Sequence, residues 1–281
     1  MKKLGKLFFG TAGIPLSTLP RNTLNGISEV KNLGLEAMEL EFVQNVNINE
    51  ELAVQVKDMA VKNDVILTCH GQYFINLNSL DKKKLEASQQ RIYIASKRAF
   101  QCGGWSTCFH PGFYQGQSVQ NTFASVKNAL HEVVSRLENE GVDIWVRPET
   151  TGKGTQFGSL DELIDLSLAI GPDKVLPCVD FSHLYARSNG KFNSLEEFHQ
   201  VLSELEKRIG KEAIQNMHIH AQGVEFSEKG ERRHLPFADS GFNYKDLVKA
   251  LKTFSAKGVL ICESPVMEND ALIIQKVYQK L

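Results

Sequence analysis

Eight short apolar runs alternate with amphipathic stretches along the chain, and the pattern repeats every roughly 30 to 40 residues, the spacing of successive β/α units. The runs are Leu7–Thr11, Ala37–Val43, Val65–His70, Ser106–His110, Asp143–Glu149, Lys174–Asp180, Ile214–His220 and Gly258–Glu263, most of them rich in Val, Ile, Leu or Phe. Between them, Glu50–Lys62, Asp81–Cys102, Asn121–Gly141, Ser159–Ile170, Ser194–Ile209, Tyr244–Lys257 and Asn269–Lys280 carry apolar residues at three- and four-residue spacing, the helical period. Ser79, Ser159 and Ser194 mark helix starts. The last two, with Glu162 and Glu197 three residues on, match a capping box. Such an alternation predicts an α/β fold, a (β/α)8 TIM barrel with any site at its C-terminal face, formed by residues 1–281 as one domain. A barrel of this kind needs about 250 residues, and 281 residues with 42% hydrophobic content supply its core.

The formal net charge of -1 gives no global attraction to polyanions, so any nucleic-acid contact must rest on locally clustered charge. Five cysteines are scattered, four of them (Cys69, Cys108, Cys178, Cys262) inside apolar runs, with no CxxC pair to mark a zinc ribbon or redox motif. No run approaches the roughly 18 apolar residues of a membrane span. The expectation is a soluble, cytoplasmic monomer with reduced thiols and no membrane partner.

The C-terminal ends of barrel strands converge on one face, and in this chain those ends carry a repeated chemistry. His70 ends the third run, His110 the fourth, Glu149 the fifth and Asp180 the sixth, with His183 three residues later; the seventh holds His218 and the eighth ends at Glu263. Imidazole and carboxylate suit zinc, manganese and similar divalent ions, and carboxylates can bridge two metals. So many donors exceed the needs of one tetrahedral ion. Two or three ions are implied, a cluster able to activate water and neutralise a phosphodiester under attack. His220, two residues beyond His218, points the same way and is open to three roles: ligand, support for a ligand, or substrate contact. His131 and His199 fall within helical stretches and read as packing or surface residues. The longest irregular stretches, Leu184–Asn193 and Ala221–Phe242, lie on the same face as the strand ends.

Cys-His-Gly-Gln-Tyr-Phe-Ile-Asn-Leu from Cys69, Phe-His-Pro-Gly from Phe109, Pro-Glu-Thr-Thr-Gly-Lys-Gly from Pro148, Cys-Val-Asp-Phe-Ser-His from Cys178, Met-His-Ile-His from Met217 and Cys-Glu-Ser-Pro from Cys262 together resemble the endonuclease IV family of apurinic/apyrimidinic endonucleases over nearly the whole chain. The resemblance implies a three-zinc TIM barrel that cleaves the phosphodiester 5′ to an abasic site in double-stranded DNA, leaving a 3′-hydroxyl. It implies His70, His110 and Glu149 around one ion, Glu149 bridging to a second held by Asp180, His218 and Glu263, and His183 at the third. Manganese is an alternative to zinc. The family completes its third site with Asp-x-His; here the loop reads Glu231-Arg232-Arg233-His234, so His234 matches the histidine, Arg232 falls at the aspartate, and a one-residue shift brings in Glu231. The Asn-Asp that commonly follows the strand-seven histidine, and a basic residue in Val43–Asn47, are missing.

Tyr73 and Phe74, just after His70, have two readings: a wedge into a base stack beside a flipped nucleotide, or caps on the barrel core. Lys153, Arg187, Lys191, Lys229, Arg232 and Arg233 place positive charge in the loops of that face as candidate phosphate contacts. Glu149 is the candidate catalytic residue. A rival reading on the same barrel is a divalent-metal sugar isomerase or epimerase, for which Glu149, Asp180, His218 and Glu263 would serve equally well; a metal-binding barrel that has lost catalysis and only binds damaged DNA or a partner is a third.

Overall fold

A parallel barrel realises the alternation. The computed structural model describes residues 2–281. Its barrel strands are β1 (Leu7–Ala12), β2 (Ala37–Glu41), β3 (Ile66–His70), β4 (Ser106–Phe109), β5 (Trp145–Pro148), β6 (Cys178–Asp180), β7 (Met217–His220) and β8 (Gly258–Cys262). They hydrogen-bond in the order β5-β4-β3-β2-β1-β8-β7-β6. Bridges Val146–Val175 and Glu149–Cys178 bring β6 back to β5 and close the ring. Around it run α1 (Thr23–Asn32), α2 (Glu50–Asn63), α3 (Lys82–Gln101), α4 (Val119–Asn139), α5 (Leu160–Ile170), α6 (Phe181–Arg187), α7 (Leu195–Arg208), α8 (Lys211–Gln215), α9 (Tyr244–Thr253) and α10 (Glu268–Gln279). The fold is a (β/α)8 TIM barrel of the α/β class.

Local chemistry sets the helix ends. Ser159 and Ser194 each cap a helix with reciprocal bonds to Glu162 and Glu197, the full capping box. The expected start at Ser79 is displaced to Asp81, whose carboxylate accepts the N–H groups of Lys83 and Lys84; an ionised acceptor satisfies two free donors where a hydroxyl has less to offer. Helix α4 buries Val126, Leu130, Val133, Val134 and Leu137, one stripe at helical spacing facing the barrel. Each such side chain contributes about 1.5–3 kcal/mol of burial, and Leu130→Ala alone would cost about 2–5 kcal/mol.

Two departures have physical causes. Helix α1 escapes the periodicity because Asn25, Gly26 and Ser28 have weak helical preference; it is held by the Asn22 cap and by contact with Ile14, to which a Cβ at Gly26 would come within 3.0 Å. Strand β6 covers only the last residues of the expected Lys174–Asp180, since Pro177 has no N–H for the ladder. At the start of β8, Gly258 sits at φ +126° with Met217 O 1.9 Å from any added Cβ, so only glycine lets β7 and β8 pair there. Among the described residues, no helix is long and apolar enough to cross a membrane.

Candidate metal centre

Glu149 follows β5 and lies at the centre of a group of imidazoles. Its Oε2 is 3.3 Å from His70 Nε2 and 3.5 Å from His110 Nε2; its Oε1 is 3.1 Å from His220 Nδ1 and 3.4 Å from His183 Nδ1. Each ring arrives from a different β/α unit, which is what convergence of the strand ends provides. Asp180 and Glu263 join on the β6–β8 side, with Asp180 Oδ2 3.2 Å from His183 Nδ1 and Glu263 Oε2 3.5 Å from His220 Nδ1. Asp180 is itself fixed, accepting Gln222 Nε2–H at 2.8 Å and the His183 backbone N–H at 2.7 Å.

The ring orientations match those of metal ligands. His70 Nδ1 lies 2.7 Å from Gly71 O, His183 Nδ1 2.9 Å from Thr150 O, and His234 Nδ1 3.1 Å from Glu263 O. A nitrogen facing such an acceptor carries the proton, which leaves the other nitrogen as a lone pair. In His70, His183 and His234 that second nitrogen faces a carboxylate. A lone pair opposite a carboxylate oxygen repels unless a proton or a cation lies between. Glu149 Oε2, fully buried, has no hydrogen-bond partner. Donor chemistry and this orphaned oxygen both fit a divalent cation.

Electrostatics agree. Burial disfavours the imidazolium of His70, yet the Glu149 carboxylate beside its Nε2 overcomes that cost and holds the pKa up at about 10. His183, His220 and His234 are also raised against the cost of burial, His183 chiefly by Asp180, His220 by Glu263 and Glu39, and His234 by Glu231. Burial works against the anionic form of Glu149, but the charge of His220 and His110 outweighs it and brings the carboxyl well below its usual range. A site that retains protons this strongly at carboxylate-facing nitrogens is one where a divalent ion would displace them.

A third group is completed by a hairpin. Strands Gly223–Ser227 and Gly230–Leu235 pair antiparallel, with Glu225 opposite Arg233 and Phe226 opposite Glu231. Arg232 is therefore the extra residue of a β-bulge. The bulge takes up the one-residue shift anticipated in the sequence and leaves Glu231 Oε2 3.2 Å from His183 Nε2 and Glu231 Oε1 3.4 Å from His234 Nε2. Gly152 makes the room: a Cβ there would come within 2.6 Å of the Glu231 Cβ. Donor atoms within 4.8 Å of one another thus occur in adjoining sets, including His110–Glu149–His183, Glu149–Asp180–His220–Glu263 and His183–Glu231–His234.

A model of the family described as xylose isomerase-like TIM barrel matches residues 27–279. The chain belongs to that family. It is 42% identical over 275 residues to the uncharacterized protein MJ0133 of Methanocaldococcus jannaschii, covering 98% of each. A probable endonuclease 4 of Bacillus subtilis is 26% identical over 199 residues, 66% of this chain and 65% of that protein. Among solved structures, endonuclease IV from Thermus thermophilus superposes with a TM-score of 0.70 at 18% identity over 96% of this chain and 98% of that one. A D-tagatose 3-epimerase-like protein gives 0.71 at 16%, covering 96% of both. Those two likenesses share the barrel and do not separate nuclease from epimerase.

Several expected residues fall elsewhere. His218 does not join the Glu149 cluster: its Nδ1 is 3.0 Å from Ser106 Oγ and its Nε2 3.1 Å from Glu39 Oε2, one layer deeper. The position expected for it belongs to His220, the register partner of Asp180, whereas His218 pairs with Cys178. Arg187 faces inward. Its guanidinium donates to Thr151 Oγ1 and the carbonyls of Lys153 and Gln156, tying down the loop after β5 rather than facing solvent for a phosphate. Arg232 and Arg233 are exposed but both pair with Glu225, which offsets their charge. Lys153 is exposed at the rim. Tyr73 and Phe74 do not cap the core, being 58% and 59% exposed, with the Tyr73 ring edge-on to His70 at 5.7 Å.

Sequence reasoning missed Glu39, Glu41 and Gln222. The signal for the first two was present: carboxylates two residues apart in an apolar strand share one face, and on β2 that face is the barrel interior. Burial and the neighbouring Glu39 push Glu41 up to about 8.

Proposed function

We propose that this chain is a divalent-metal phosphodiesterase that incises double-stranded DNA on the 5′ side of abasic sites and leaves a 3′-hydroxyl. The observation that carries this reading is the His183–Glu231–His234 set beside the Glu149 cluster. Isomerase chemistry is served by the single set Glu149, Asp180, His220 and Glu263, and has no need of a further carboxylate brought in by a bulged hairpin. The probable endonuclease 4 relative supports the same choice.

His70, His110 and Glu149 would hold one ion, Glu149, Asp180, His220 and Glu263 a second, and His183, Glu231 and His234 a third. Zinc, or manganese in its place, would supply Lewis acidity toward phosphoryl oxygens and a nucleophilic water at neutral pH. The protein's part is positional. Glu149 is shared between sets and fixes their spacing, Asp180 and Gln222 hold His183 in place, and the backbone acceptors orient His70, His183 and His234. Tyr73 and Phe74, exposed beside His70, would stack against bases flanking an extruded nucleotide, and Lys153 would meet a phosphate. The test is a duplex carrying one tetrahydrofuran abasic analogue, incubated with metal-stripped protein before and after zinc or manganese is restored. Incision that returns with metal supports the reading, and its absence from folded, metal-loaded protein refutes it.

A second reading, a sugar isomerase or epimerase, draws on one observation. Arg187 is tied to the loop after β5 and Arg232 and Arg233 pair at the surface with Glu225, while a pocket of about 220 Å³ lined by Arg21, Glu41 and Met267 opens at the C-terminal ends of β1 and β2. Metal-dependent interconversion of ketoses would favour it.

A further inference from the structure

Beneath the carboxylate cluster the barrel interior is polar, where branched aliphatic side chains dominate such barrels. Glu39, Thr68, Cys108, Arg147, Cys178 and His218 are all fully buried there. Three of them converge on Glu39. Thr68 Oγ1 donates to Glu39 Oε2 at 2.8 Å, Cys108 Sγ lies 3.6 Å from the same oxygen, and His218 Nε2 lies 3.1 Å from it. None of them faces substrate in the reading above.

Cys108, Cys178, His218 and His220 offer four donor atoms within 4.8 Å of one another. Cys108 Sγ is 3.8 Å from His220 Nε2. Zinc–sulfur and zinc–nitrogen bonds of about 2.3 and 2.0–2.1 Å at a tetrahedral angle would separate these atoms by about 3.6 Å, so the pair needs only a small contraction. One further observation points to a cation. His218 Nε2, fully buried, has no hydrogen-bond partner, while its Nδ1 is taken up by Ser106 Oγ at 3.0 Å. Arg147, stacked by Trp105 and Trp145 with its hydrogen bonds on the carbonyls of Pro177 and Asn216, is already a buried cation, so the layer takes up a dication only with both thiols ionised.

We propose that this layer is a second metal site, separate in chemistry from the carboxylate cluster above it: a soft-donor zinc site held by Cys108, Cys178 and His218 and closed by His220 Nε2. Two sulfurs with two imidazole nitrogens is a tetrahedral zinc set. Binding sends the thiol protons of Cys108 and Cys178 to solvent, and the two thiolates neutralise the ion while Glu39 balances Arg147. His220 engages the ion through Nε2 and keeps Nδ1 toward Glu149 and Glu263. Where both nitrogens bind metal, the ring also releases its remaining proton. With all four donors fully buried, the ion would enter as the barrel forms and resist chelators that strip the cluster above.

X-ray absorption at the zinc edge of the full-length, zinc-loaded protein tests this without substrate, so failure of DNA incision would leave the result intact. The expected result is a sulfur shell at about 2.3 Å. It is accompanied, in cobalt-loaded protein, by a thiolate-to-cobalt charge-transfer band that Cys108→Ser and Cys178→Ser each weaken and Cys69→Ser leaves in place. Scattering from nitrogen and oxygen alone, a band that survives in both Cys108→Ser and Cys178→Ser, or a Cys108–Cys178 disulfide in the metal-loaded chain would overturn the proposal. Should the serine variants fail to fold, the sulfur shell of the unaltered protein decides.

Discussion

His220 presents Nδ1 at 3.1 Å from Glu149 Oε1 and Nε2 at 2.9 Å from Glu39 Oε1, so one buried ring joins the central carboxylate of the cluster to an acid on the second strand. Glu39 thereby helps to set the orientation of the His220 ring, whose Nδ1 faces Glu149 and Glu263. Burial penalises a charge on Glu39, but His220 and His218 outweigh that penalty and keep its carboxyl well below the usual range.

Glu39→Gln keeps the shape and removes the charge. Metal affinity of the cluster should fall roughly 10- to 100-fold, the usual cost of losing such a supporting partner. Zinc titration by calorimetry on the folded variant measures this. Unchanged affinity would mean that Glu39 does not position His220.

Gly152→Ala should displace Glu231, since the added Cβ would stand 2.6 Å from the Glu231 Cβ and 2.7 Å from its Oε2. The expected outcome is one equivalent of metal fewer per chain, with the circular dichroism of the barrel preserved. Elemental analysis after gel filtration gives the count, and full metal content would argue against the His183–Glu231–His234 set as a ligand group.

Arg187→Ala should show in stability and not in the salt dependence of DNA binding. Its guanidinium holds Thr151 and two carbonyls of the loop after β5. Loss of charged hydrogen bonds costs about 1.5–3 kcal/mol, which in a chain of this size lowers the melting temperature by roughly 3–10 °C. A flattened salt slope with an unchanged melting temperature would return Arg187 to the phosphate contacts.

The metal-free chain should lose stability as pH rises above about 6.5, the unfolded value for histidine. His70, raised to about 10 by Glu149 against the effect of burial, contributes stability that is complete below that value and is lost as pH rises through about 10. His218 runs the other way. Burial lowers it to about 4, only partly opposed by Glu39, so its contribution is complete above about 6.5 and declines as pH falls toward 4. Bound metal should flatten the alkaline side, because the ion replaces the proton on His70. Melting curves across pH with and without zinc test this; identical profiles would contradict it.

The barrel was legible because its strands and helices alternate in hydrophobic period, and the strand ends pointed to side chains that the fold does bring together, His70, His110, Glu149, Asp180 and Glu263. Depth was not legible. His218 and His220 share a face, and only the register of β7 against β6 tells which is level with Asp180. Partners across the barrel were equally hidden: nothing local in the sequence says that Arg187 folds back onto Lys153 O, or that Glu225 engages Arg232 and Arg233. The Glu231 shift was foreseen as a register problem. Its solution, a bulge at Arg232 over Gly152, needed the hairpin pairing.

End-group mapping on a tetrahydrofuran-containing duplex is the most direct test of the proposed reaction. Metal-loaded protein should give a single nick 5′ to the lesion whose upstream end primes DNA synthesis without further processing, the mark of a 3′-hydroxyl. An uncut duplex alongside metal-dependent ketose epimerisation by the same preparation would contradict it.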